Sequence, residues 1–88
     1  MRIDKFLKLS RIIKRRTEAK KACDNHCVIM NDKIAKSSDI VKPFNKIKIY
    51  FKKKVLEIEI LEIPTGNVLS IDTSRMYRVI KQEEIPFE

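Results

Sequence analysis

Apolar residues Ile3, Phe6, Leu7, Leu9, Ile12 and Ile13 recur at an approximately helical spacing, with Lys5, Lys8, Arg11 and Lys14 set between them. The pattern predicts a first helix ending between Ser10 and Lys14. Thr17 then stands where an N-cap belongs, and Glu18 falls in the first turn, where the helix dipole favours an anion. Ala19, Ala22 and Cys23 share one face, so a second short helix is expected. Its small residues suit close packing on the first helix. Arg15 and Arg16 would lie at the corner between the two, beside the new helix's N-terminus, where phosphate is attracted.

From Cys27 the period falls to two. "CVIMNDKIA" reads as strand, Asn31-Asp32 turn and strand, because Asn and Asp tolerate left-handed backbone better than other non-glycine residues. "KIKIYF" alternates Ile47, Ile49 and Phe51 with Lys46, Lys48 and Tyr50, and Lys52, Lys53 and Lys54 form an exposed turn into "VLEIEILEI". There Leu56, Ile58 and Ile60 alternate with Glu57 and Glu59, which can pair across the hairpin with the lysines. Pro64 and Gly66 mark a break, Ser70 or Asp72 caps one helical turn, and "MYRVIKQ" returns to strand character. The expected fold class is α+β: two short N-terminal helices packed on a small, mostly antiparallel sheet, with a short C-terminal extension. Residues 1–88 form one domain on this reading. Residues 1–51 are its core motif, and residues 52–88 complete the hairpin and add an acidic extension.

Charge changes the picture from a fold to a partner. Residues 1–54 hold 17 Lys and Arg against 5 Asp and Glu, whereas residues 55–88 hold 3 against 7. A solvated helix face usually mixes signs, yet from Lys5 to Lys21 eight basic residues face one acid, Glu18. Repulsion this dense is relieved by a polyanion engaging the first half of the chain. A membrane is the weaker candidate, because the basic stretch lacks the broad aromatic face of a surface-lying helix and no apolar run reaches a bilayer's thickness. The first ten residues also lack the apolar core of a signal peptide, and the chain is expected in the cytoplasm, with Cys23 and Cys27 as free thiols.

Chemistry adds little. Cys23, His26 and Cys27 are too few for a structural metal site, and the chain has no other Cys or His. One His, no glycine-rich phosphate loop and acids on alternating strand positions give no catalytic constellation, so neither an enzyme nor a cofactor is expected. Asp4 is the acid embedded among the basic residues of the first helix. Helix capping is its simpler role, and holding an arginine in position is the alternative. Tyr50 is the one aromatic that could serve as a stacking platform and reads more simply as a strand residue, which leaves recognition to phosphates and backbone shape and favours structured RNA.

The order "MRIDKFL", "SRIIKRRTEAKKA", a hairpin with "IMND" and "AKSSDIVKP" before a strand resembles the RNA-binding domain named after ribosomal small-subunit protein S-four, from Met1 to about Phe51. The short form ending in "KQEEIPFE" is similar to the RqcP family, also known as YabO, and to the small heat-shock ribosome-binding protein of the same domain type. The resemblance implies a factor that binds stalled large ribosomal subunits carrying peptidyl-tRNA. It would contact large-subunit ribosomal RNA and the tRNA while an RqcH-type partner tails the nascent chain with alanine. A heat-shock-type recycling factor and a general structured-RNA module are the alternatives, and a monomer is expected. The family's basic motif positions fall on Arg2, Lys5, Arg11, Arg16, Lys20 and Lys36, with Asp4 and Thr17 matching and Lys14 and Arg15 extending the patch.

The family pattern has glycine after the second helix, in the hairpin turn and before the next strand, where this chain has His26, Asp32 and Phe44. His26 and Asp32 are expected to keep those turns at positive φ. At Phe44 the turn is expected to be rebuilt around Asn45. Where Cys27 stands, relatives often carry arginine, which removes one RNA contact.

Overall fold

The computed structural model describes residues 1–64 and 72–85. Helices α1 (Ile3–Leu9) and α2 (Arg16–Asp24) precede strands β1 (Val28–Met30), β2 (Lys33–Ile34), β3 (Lys46–Tyr50) and β4 (Lys54–Ile60). A 3-10 turn (Thr73–Arg75) then leads into β5 (Tyr77–Glu84). The strands form one sheet in the order β2-β1-β3-β4-β5, and every pairing is antiparallel. This is the expected α+β arrangement.

The two hydrophobic periods meet in the core. Ile3, Phe6 and Leu7 of α1 and Ala19 and Cys23 of α2 pack with Val28, Ile47, Ile49, Leu56, Ile58 and Ile60 from alternate strand positions. A fully buried Ile, Leu or Phe stabilises a fold by about 1.5–3 kcal/mol, so these rows fix the helices on one face of the sheet. The register sets Ile47 opposite Ile58 and Ile49 opposite Leu56 on the inner face, with Lys46 opposite Glu59 and Lys48 opposite Glu57 on the outer. The lysine and glutamate rows thus align as expected, although the Glu59 carboxylate takes its bond from Arg78 Nε of β5, at 2.7 Å.

The apolar stripe of α1 runs past the end of the helix. Arg11 turns left-handed at φ 65° and donates its N–H to the Lys8 carbonyl. The buried Ser10 hydroxyl and the Ile13 N–H both donate to the Leu7 carbonyl at 3.1 Å. Ile13 is therefore buried by a reversal of the chain and not by a further helical turn. The N-cap of α2 is Arg15, not Thr17. The bond from the Ala19 N–H to the Arg15 carbonyl draws Arg16 and Thr17 into the helix, leaving the Thr17 side chain exposed in its first turn.

The three glycine-like turns keep their left-handed backbone without glycine. After α2, His26 sits at φ 61° while its N–H donates to the Cys23 carbonyl and that of Cys27 to the Ala22 carbonyl, the paired bonds of a Schellman ending. Asn31 and Asp32 are both at positive φ, as a type I′ hairpin turn requires. Before β3 the expectation fails. Phe44 itself adopts φ 71°, because its N–H is needed by the Ile60 carbonyl at 2.7 Å. Asn45 only braces the turn, accepting the Lys42 N–H on its side-chain oxygen.

Gly66 and Ser70 lie outside the described residues. Asp72 caps the 3-10 turn, accepting the N–H and hydroxyl of Ser74, which hold its carboxyl below the usual range. The tail expected to be an acidic extension supplies the second half of β5 as far as Glu84, paired along β4 with a bulge between Glu57 and Ile58.

Candidate RNA-binding surface

The surface is organised around a buried carboxylate. Asp4 lies in the first turn of α1, with its side chain only 4% exposed. One oxygen accepts Arg2 Nη2 at 3.2 Å; the other accepts Arg16 Nη2 at 3.4 Å and the Lys5 N–H at 2.7 Å. Both arginine side chains remain about half exposed, at 44% and 48%. Asp4 therefore takes the arginine-holding role over simple capping. Burial excludes water from the carboxylate, so its two partners are held more firmly than a surface ion pair would hold them. Each guanidinium keeps donors free for a phosphate outside.

The neighbouring residues follow from the same packing. The Lys36 turn is closed by Asp39, whose carboxylate accepts the Lys36 N–H at 2.9 Å. The Ser37 and Asp39 carbonyls accept the N–H groups of Asp4 and Ile3. The loop carrying Lys36 is thereby stitched to the start of α1. Arg15 and Arg16 open α2, whose N-terminus carries partial positive charge and receives no side-chain acceptor from its cap. Lys20 lies one turn further along α2, and Arg11 and Lys14 occupy the exposed connection between the helices.

Arg2, Lys5, Arg11, Lys14, Arg15, Arg16, Thr17, Lys20 and Lys36 are all exposed. Direct bonds gather Arg2, Asp4, the Lys5 backbone and Arg16 into one cluster, while no side-chain bond links Arg11, Lys14, Arg15, Thr17, Lys20 or Lys36 to Asp4. Lys8 and Lys21 are equally exposed on the same two helices and add to the positive field. Their signal was the unbalanced sign of the stretch. Cys23 is buried, and burial together with Asp4, Asp24 and Asp39 pushes its thiol up to about 11. Cys27 is half-buried, and its thiol donates to the Asn25 carbonyl. Among the described residues no three His, Cys, Asp or Glu converge to hold a metal, and no helix is long and apolar enough to cross a membrane.

The S4 domain model matches residues 1–47, which include this whole cluster. The RQC P-site tRNA stabilizing factor of Halalkalibacterium halodurans is 40% identical over 85 residues, covering 97% of this chain and 96% of that protein. The chain belongs to this S4-domain family. The family's Bacillus subtilis factor of the same name is 36% identical over 97% of this chain and 98% of its own. In three dimensions the fold is similar to the trimeric structure of Vibrio cholerae Heat Shock Protein 15, with TM-score 0.78 and 25% identity over 90% of this chain and 80% of that one. It is equally similar to the solution structure of a hypothetical protein, HP1423, with TM-score 0.77 and 37% identity over 94% of this chain and 100% of that one. The S4 match stops within β3, so β4 and β5, which complete the sheet, lie beyond the shared domain.

Proposed function

We propose that this protein binds large ribosomal subunits stalled with peptidyl-tRNA and steadies the tRNA during ribosome-associated quality control. Arg2 and Arg16, anchored on the buried Asp4, are the observation that carries the reading. Two half-exposed guanidinium groups held on one carboxylate form a preset clamp for a phosphodiester backbone. Arg11 and Arg15 add further bidentate donors, and Lys5, Lys14, Lys20 and Lys36 add less directional charge. Thr17 places a hydroxyl in the first turn of α2. The relatives' shared name, RQC P-site tRNA stabilizing factor, supplies the species to which such a clamp is directed.

On this reading the protein is a monomeric, cytoplasmic binding factor and not an enzyme. It needs no cofactor or metal, contacts large-subunit ribosomal RNA and tRNA, and shares its subunit with an RqcH-type factor that adds alanine to the nascent chain. Sedimentation of tagged protein from lysate through sucrose at low and moderate salt tests it. Co-migration with large subunits that carry peptidyl-tRNA is the expected result. Protein left at the top of the gradient at both salts would remove the ribosome from the reading.

A further inference from the structure

The clamp occupies the helices and the loop beside them, yet the opposite face of the sheet is not featureless. A hollow of about 440 Å³ opens between the β1–β2 turn and the outer face of β3 and β4, within the roughly 300–1,000 Å³ typical of ligand clefts. Ile29 and Phe44 give it apolar walls, Lys46 and Lys48 cations, Asn31 an amide, and Asp32 and Glu57 carboxylates.

Phe44 is the residue that needs explaining. Its backbone is left-handed, the conformation a bulky side chain resists most, and the residue is 73% exposed. The turn needs only the Phe44 N–H, and glycine would supply that without strain. The ring therefore gives the fold little and faces the hollow. Among the described residues Lys46 has no ion-pair partner, since Glu59 opposite it is taken by Arg78.

We infer that this hollow is a second RNA site, which takes an unpaired nucleobase against the Phe44 ring and the adjoining phosphate on Lys46 and Lys48. Every base has a π-face, so stacking on Phe44 tolerates any sequence. The Asn31 amide, whose oxygen already accepts the Lys46 N–H, keeps its NH₂ free to donate to a base edge. Asp32 and Glu57 accept from exocyclic amino groups and disfavour a phosphate sitting deep in the hollow. The lining itself is balanced, Lys46 and Lys48 against Asp32 and Glu57, so the stacking face of Phe44, together with the lysine surplus of the surrounding chain, favours RNA over a protein side chain as the occupant. From Cys27 to Lys54 the chain carries eight lysines and two acids, Asp32 and Asp39. The inference concerns residues separate from the Arg2–Asp4–Arg16 clamp, and the two readings fail separately.

The test is a residue-resolved NMR titration of the intact chain with an eight-nucleotide, mixed-sequence, single-stranded RNA and with an abasic strand of the same length and charge. The expected result is that Phe44 ring protons and the Asn31 amide move with the RNA and not with the abasic strand. Phe44→Gly is expected to weaken the RNA affinity about tenfold, with Phe44→Tyr retaining it. Equal movement with both strands would overturn base stacking. Movement confined to α1 and α2, or an unmoved spectrum, would overturn the second site while leaving the clamp, whose partner is structured RNA, intact. Photo-crosslinking from position 44 on large subunits is expected to label RNA, and labelling of a ribosomal protein in its place would also overturn the inference.

Discussion

Arg16, the first residue of α2, reaches back to Asp4 in the first turn of α1, its Nη2 lying 3.4 Å from Oδ1. The bond ties the helices together through a buried anion beneath a surface that is otherwise cationic. Asp4→Asn separates position from charge. The substitution raises the net charge by one, so a surface acting only as diffuse positive charge would bind RNA more tightly. If Asp4 sets the arginines, binding is expected to fall about fivefold, with a loss of about 1–2 kcal/mol in stability from the weakened hydrogen bonds. Filter binding to ribosomal RNA and urea denaturation measure the two effects. Tighter binding in the variant would sink the positioning role.

Arg16→Ala removes an exposed guanidinium while leaving Asp4 its bonds from Arg2 and the Lys5 N–H. Its effect on stability is expected to stay within about 1 kcal/mol, and its effect on binding to be larger. If the wild type neutralises about six phosphates, log K falls against log salt with a slope of roughly −4 to −5. The variant's slope is expected to be shallower by about 0.7–0.9. An unchanged slope would place Arg16 outside the contact.

Phe44 and His26 both hold φ near 60–70° without being glycine. Phe44→Gly and His26→Gly are each expected to raise stability by about 0.5–1 kcal/mol, the relief of left-handed strain less the greater entropy of glycine in the unfolded chain. Denaturation midpoints report this directly. A loss of stability would show that the side chain packs after all. Greater stability with weaker RNA binding at position 44 would separate folding from recognition there.

The Cys23 thiol titrates at about 11 in the fold against an ordinary 9.0. Its neutral form is the one the folded state favours, so the stability it contributes is full below pH 9.0 and is lost as pH rises toward 11. Cys23→Ala is expected to flatten that part of the stability profile. At neutral pH iodoacetamide is expected to modify Cys27 and spare Cys23 in the native protein. Mass spectrometry of the digested product distinguishes the sites, and rapid labelling of Cys23 would mean that its pocket opens.

Much of this architecture is readable from periodicity because the core demands it. Ile47, Ile49, Leu56, Ile58 and Ile60 alternate along their strands, and the inner row they form is buried almost completely. What periodicity misreads is where local bonds compete with it. The stripe continues through Ile12 and Ile13, yet Arg11 has already reversed the chain, and only the Ser10 and Leu7 bonds reveal that turn. Thr17 has the chemistry of a cap, but the Ala19 to Arg15 bond starts the helix earlier. Asp4 shows the limit most plainly. Its neighbours in sequence suggest a cap, whereas its carboxylate also bonds a partner twelve residues away that only tertiary packing brings to it.

The two borders of the sheet are unequal. β2 offers two residues and β5 eight, with Val79 and Ile80 exposed along the longer one. A fibre that grows by strand addition needs a receptive border at each end of every subunit. Here the short border offers almost no ladder on which to extend. Two β5 borders that met would use each other up and leave no template behind. The sheet thus exposes a long border while denying aggregation a direction in which to propagate.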